Sequence, residues 1–288
     1  RPAPCPPVDD RPTQLAVTRV EALTRDPYAV WARDILKLRP MDRPDEPVEA
    51  RARGTAIHSA FEDFARAHPD TLPSDAAAIF ERLYVDALAA AGMPREGLAR
   101  ERALAREAAQ WVAELEAARR AGGCRIHVEI EGRMTIRIDG RDFTLTAKAD
   151  RIEHLDGVGH ILDYKTGRAP SQKVVDAGFS PQLTLTAALL ARGGFATLGR
   201  VEPGDLTYLE VTGRRPAGRV EVRALAGEQA TEAARRAFEG LKTLIGRYYR
   251  PDQAYASRTA PQFVHDYAGD YGHLARVFEW STSGEEEG

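Results

Sequence analysis

Residues 125–167 read RIHVEIEGRMTIRIDGRDFTLTAKADRIEHLDGVGHILDYKTG, and this stretch decides the fold. Residues 125–138 alternate apolar and polar side chains with a period of two, as a strand with one buried face does. Asp139-Gly140 is a hairpin dipeptide, and residues 142–153 resume the alternation. Asp156-Gly157 is a second turn signal, followed by a short strand at 159–164 (GHILDY). The three strands form a meander.

Outward from the meander the texture is helical. On the N-terminal side, Val20, Leu23, Tyr28, Trp31, Ile35 and Leu38 recur at helical spacing over 18–38, with Pro27 opening a second segment at its N1 position. Ile57, Phe61 and Phe64 mark one face of a helix over 54–67. Residues 74–91 and 97–121 are Ala-rich and amphipathic, stopped by Gly92 and Gly122-Gly123. On the C-terminal side the pattern predicts a helix over 181–192, strands at 205–212 and 218–224, a long helix over 228–249, and a helical last segment over 267–280. Neither repeats nor an internal boundary interrupt residues 15–281, which read as one α/β domain with a helical N-terminal half. Residues 1–14 are Pro-rich and predict an extended linker. Residues 282–288 form a short acidic tail expected to be disordered.

Composition bounds the function. The 288 residues are 43% hydrophobic and 29% charged, an ordinary globular balance. No run of eighteen apolar residues predicts a membrane span. The sequence opens Arg1-Pro2-Ala3-Pro4, without a signal core, and predicts a piece of something longer. A net charge of −3 means that any polyanion must be met by a local basic surface. Cys5 and Cys124 are too few for a disulfide framework or a four-cysteine metal site, and their number fits a reducing cytoplasm.

The chemistry centres on Asp163-Tyr164-Lys165. Period-two alternation points Asp163 and Lys165 to one face and Tyr164 to the other. Asp150 ends the neighbouring strand, and the intervening turn brings the two carboxylates to one edge of the sheet. Hard oxygen ligands of this kind suit Mg²⁺ or Mn²⁺, and an adjacent lysine can hold or deprotonate a water beside a phosphodiester. Taken alone, Asp-x-Lys is most often a surface ion pair. Its place here, at the end of a buried-type strand and ahead of Thr166-Gly167, sets it apart. His58 opens a helix after Gly54-Thr55, with Glu62 on the same face, and its imidazole can complete a metal shell. Gln182, just inside the helix after the lysine, can hydrogen-bond a phosphate, a base or the lysine.

In this order, Gly-Thr-x-x-His58, Asp150-Arg-Ile, Ile-x-Asp163-Tyr-Lys165-Thr-Gly and Gln182 resemble the PD-(D/E)XK nuclease superfamily. RDPYAVWARDILKLRPMD (25–42), LTAKADRIE (145–153) and HLARVFEWS (273–281) resemble the alphaproteobacterial type of AddB, a subunit of AddAB helicase-nucleases. The resemblance implies a restriction-endonuclease-like core with a mixed central sheet flanked by helices. It implies Mg²⁺, with Mn²⁺ able to substitute, on His58, Asp150, Asp163 and the Tyr164 carbonyl. Lys165, Asp163, Asp150 and Gln182 would be catalytic. The substrate would be single-stranded DNA ends unwound by an AddA-like helicase-nuclease partner, cut exonucleolytically in double-strand break repair and recombination.

Two departures stand out. Many AddB proteins carry four cysteines around an iron–sulfur cluster. Here Asp26 precedes Pro-Tyr where a cysteine would stand, and no cluster is expected; packing of Trp31, Tyr248, Tyr249 and Trp280 would close the domain instead. The family's Gln-x-x-x-Tyr reads Gln182-Leu-Thr-Leu-Thr186, which replaces the ring by a small hydroxyl. DNA contacts are expected from Arg53, Arg151, Arg168 and Lys173, with a wider basic bias from Arg33, Lys37, Arg39, Arg43 and Arg51. The alternative is a catalytically silent DNA-binding or scaffolding module. Retention of both aspartates and the lysine favours an active enzyme.

Overall fold

A computed structural model describes residues 1–41, 48–259 and 269–281. The expected meander is its framework. Strand β2 (Arg125–Ile138) pairs with β3 (Arg141–Leu155), and β3 with β4 (Val158–Lys165), both antiparallel. Each turn has two residues in the left-handed region, Asp139 (φ 47°) with Gly140 (φ 79°) and Asp156 (φ 49°) with Gly157 (φ 79°). Asp tolerates that region and Gly occupies it freely, so these turns match the strand twist and pin the register.

Six strands form one mixed sheet. β5 (Glu202–Val211) runs parallel to β4, and β6 (Gly218–Ala224) runs antiparallel to β5. β2 takes one edge of β3 along nearly its whole length. The other edge is shared end to end, by β4 against residues 151–155 and by β1 (Gln14–Ala16) in parallel against 144–146. β1 is too short for periodicity to reveal.

Helices cover both faces. α3 (Val48–Ala67), α4 (Ala76–Ala90) and α5 (Arg95–Arg120) build one layer, whose core includes Phe61, Phe64 and Phe80 together with Leu162 and Tyr164 of β4. α1 (Val17–Arg25), α7 (Gln182–Ala191) and α8 (Glu228–Tyr248) build the other, packed on Phe143, Leu145, Ile161 and Tyr208. α6 (Gln172–Asp176) links β4 to α7. No helix among the described residues is long and apolar enough to cross a membrane.

Three expectations change. The segment 18–38 is not one pair of regular helices: α2 (Pro27–Val30) passes into a π turn at Trp31–Ile35. Among the described residues of the C-terminal segment, 269–281, the helix is confined to α9 (Val277–Ser281). The Pro-rich start is not extended throughout: it carries a 3-10 turn at Val8–Asp10, and it lies against the body. Proline cannot donate, yet its carbonyl accepts. Tyr255 donates its amide to Pro4 at 2.7 Å and Ser257 to Pro2 at 3.2 Å. Buried Arg11 donates to the carbonyls of Tyr248 (2.7 Å) and Arg250 (2.9 Å). The acidic tail at 282–288 and Arg43 lie outside the described residues.

Asp26 accepts the Arg258 amide at 3.0 Å. Trp31 and Trp280 pack on a small cluster of Tyr28, Tyr271 and Val277. Tyr248 and Tyr249 belong to the main core beside Tyr255.

Candidate active site

The two hairpin registers align three carboxylates. Counting back from the first turn, Val128 faces Arg151 and Ile130 faces Ala149, so Glu129 stands opposite Asp150. Counting from the second, Arg151 faces Leu162, and the next pair is Asp150 with Asp163, one step past the last ladder pair. Glu129, Asp150 and Asp163 therefore form one row across β2, β3 and β4.

The row is also where the sheet breaks its alternation. Ala147 and Ala149 of β3 share a core with Ile152, three residues on instead of two. Glu129 has φ 53°, unusual for a non-glycine residue. Strain of that kind turns side chains out of the regular pleat without a change in register, and it concentrates at functional positions.

His58 reaches the row from α3. Phe61, one turn on, stacks on Tyr164 with ring centroids 4.0 Å apart, and the His58 ring meets Tyr164 edge-on at 5.7 Å. That packing of helix on strand sets His58 Nδ1 3.4 Å from an Asp150 oxygen. The same Asp150 oxygen accepts the Tyr164 amide at 3.0 Å. One ligand atom each from His58, Glu129 and Asp150 lie within 4.8 Å of one another. Two carboxylates and an imidazole so spaced fit a divalent cation of the Mg²⁺ or Mn²⁺ type. Sequence reasoning missed Glu129. The signal was present, because two-residue turns at 139–140 and 156–157 fix which residues oppose each other.

Asp163 stands beside this cluster, buried at 4% exposure. Lys165 lies 2.6 Å from it, and Gln182 donates its amide to its other oxygen. Gln182 also accepts from Lys165 at 3.5 Å, so the first residue of α7 ties acid and ammonium together. Burial pushes the Asp163 carboxyl up to about 6, with the Asp150 charge adding to it, although Lys165 opposes the shift. One ammonium thus does not cover the cost of burying this charge, as expected where a further cation belongs. Burial lowers His58, but the hydrogen bond and charge of Asp150 outweigh it and raise the imidazole above its usual range. For Lys165, burial is outweighed by Asp163, and the ammonium is held charged.

A model of the PD-(D/E)XK nuclease superfamily matches residues 14–259. The chain belongs to that superfamily. Relatives of the chain include an uncharacterised protein of Rickettsia bellii, 29% identical over 64% of this chain, and one of Rickettsia conorii, 30% identical over 64%. The matches cover only 22% and 23% of those proteins, so the chain spans less than a quarter of the length of these curated relatives. Among solved structures, the crystal structure of SSO0001 aligns over 80% of this chain and 76% of that one at 12% identity and a TM-score of 0.33, too distant to carry an argument.

The basic residues expected at DNA differ in their surroundings. Arg151, expected at DNA, is turned inward. It is 1% exposed, its guanidinium paired with Glu116 of α5 and, at 2.7 Å, with Glu153. Its neighbours at 150 and 152 sit at the kink, which turns position 151 toward α5. Arg53 is half-buried and forked on Glu101 at 2.6 and 2.9 Å. Arg168 and Lys173 are exposed beyond β4. Glu62, expected on the face of His58, pairs with Arg66 at 2.6 Å, and Tyr28 is packed into core. Thr186 donates to the Gln182 carbonyl at 2.7 Å, inside its own helix.

Proposed function

We propose that this chain is a divalent-metal-dependent deoxyribonuclease domain that hydrolyses single strands supplied by a helicase. The observation that carries the reading is the transverse row of Glu129, Asp150 and Asp163, with His58 against Asp150 and Lys165 against Asp163. Oxygen donors on adjacent strands and one imidazole make a hard-cation site, and an ammonium beside it makes a phosphodiester site of it.

His58, Glu129 and Asp150 would hold Mg²⁺ or Mn²⁺, with Asp163 and the Tyr164 carbonyl facing the same space. When bound, the metal supplies Lewis acidity toward a phosphoryl oxygen and lowers the pKa of water. The chain's own groups do the rest. Lys165, charged and anchored between Asp163 and Gln182, orients the attacking water and neutralises charge building on the phosphate. Gln182 keeps Lys165 and Asp163 in one geometry. Arg168 and Lys173 hold flanking phosphates, a sequence-independent and salt-sensitive contact.

The AddB-like assignment rests on the motif order and on the size of the relatives, whose remaining length leaves room for other domains. It supports exonuclease-type cutting of unwound ends in break repair and recombination, beside an AddA-like partner. The test is cleavage of end-labelled single-stranded DNA in Mn²⁺ or Mg²⁺, by the wild type and by Asp163→Ala and Lys165→Ala. Cleavage should require the metal and be lost in both variants with folding intact. Metal-dependent cleavage that persists in both would remove the site assignment, and salt-sensitive binding without cleavage would mark a scaffolding module.

A further inference from the structure

Lys148 has a carboxylate directly across the ladder and does not use it. Its register partner on β2 is Glu131. Its ammonium instead crosses diagonally to Glu129, the carboxylate that clusters with His58 and Asp150. Lys148 is two residues from Asp150 on β3, a step of about 6–7 Å along a strand. Its side chain is 59% exposed, whereas that of Glu129 is 11% exposed, so the mobile partner of the pair is the lysine. An ion pair whose lysine is largely in solvent is weak, and a divalent cation brings twice the charge to the same carboxylate.

We propose that Lys148 and the divalent cation exchange places on Glu129, and that the released ammonium binds a phosphate of the DNA strand next to the scissile one. Lys148 is then a substrate-positioning residue, and metal loading and strand binding are linked through one side chain. Before loading, the lysine neutralises part of a crowded acidic row. After loading, it lies about one side-chain length from the metal with only the exposed Glu131 across the ladder to compete for it, which is where a polyanion must pass. The inference rests on the metal site proposed above.

The experiment is a Mn²⁺ titration of the protein without DNA, by calorimetry, for wild type, Glu129→Gln and Lys148→Met. Loss of binding in Glu129→Gln establishes the site, after which Lys148→Met reports on the exchange alone. Removing the competitor should tighten Mn²⁺ binding about twofold to fivefold, the factor an exposed ion pair allows. In a second measurement, single-stranded DNA is bound in Ca²⁺ over a range of salt. Lys148→Met should lower the slope of log affinity against log salt by about 0.7, the share of one phosphate contact, and Lys148→Arg should restore it. Unchanged or weaker Mn²⁺ binding in Lys148→Met, or an unchanged salt slope, overturns the exchange while leaving the metal site standing. Absence of Mn²⁺ binding by the wild type overturns both.

Discussion

Glu129 and Asp150 face each other across β2 and β3 at the one place where the β3 side-chain alternation breaks. The register on either side is unbroken, Val128 with Arg151 and Ile130 with Ala149. A loop insertion would have moved the strands apart. Here the backbone turns locally at Glu129 (φ 53°), and the carboxylates leave the pleat toward His58 of α3.

Glu129→Gln follows first from this pairing. Loss of an outer-shell partner typically weakens a metal site by about 10- to 100-fold, and loss of a direct ligand should exceed that. Mn²⁺ affinity and cleavage should fall together, while Tm in EDTA should hold or rise because a crowded acid is removed. Calorimetric titration and a cleavage assay check it; full activity in Glu129→Gln would leave the cluster without this member.

The pH response of the site has a defined sign. Burial holds the Asp163 carboxyl up at about 6 against 3.8 for a free aspartate. His58 is raised above 6.5, with Asp150 outweighing burial. At these two groups the folded protein therefore binds more protons than the unfolded chain, from about pH 4 through Asp163 and upward through His58, and their contribution to stability without metal falls as pH rises through that window. Metal needs the carboxylate ionised and the imidazole neutral, so Mn²⁺ affinity should rise over the same window. Thermal melts in EDTA from pH 5 to 8 should show declining Tm, reversed by Mn²⁺ at the upper end. Asp163→Asn should flatten the decline in EDTA; a slope unchanged by that variant would place the proton elsewhere.

Arg151 separates stability from DNA binding. Its removal leaves Glu116 and Glu153 buried with only Arg120 and Arg119 beside them. Breaking such a network by truncating one partner costs about 3–5 kcal/mol. Arg151→Ala should lower urea stability by that order, whereas the salt dependence of DNA binding should be unmoved at temperatures where the variant is folded. A reduced salt slope in folded Arg151→Ala would return this residue to the DNA surface.

Arg168 and Lys173 should behave in the opposite way. Both are exposed, and neither substitution exposes core. Each change to Ala should leave the unfolding free energy within about 0.5 kcal/mol of wild type and lower the single-strand salt slope by about 0.7. Fluorescence anisotropy against salt concentration measures it, and slopes equal to wild type for both would move the DNA path away from β4.

The sequence alone determined the meander and most of the longer helices, because the meander's alternation, its two Asp-Gly turns and the apolar spacing of the helices are local signals. It also singled out His58, Asp150, Asp163, Lys165 and Gln182 as candidates, through residue type, order and the family resemblance these carry. Tertiary structure decided which other charges join them. Glu129 enters because two registers add across three strands, while Arg151, adjacent to a ligand in sequence, is turned into the α5 layer and lost to solvent. The docked Pro-rich segment and the short β1 were equally beyond local reading, since their hydrogen-bond partners lie across the fold. The physical reason is common to all: pattern reports a residue's own preference, whereas burial and pairing depend on which distant surface arrives opposite it.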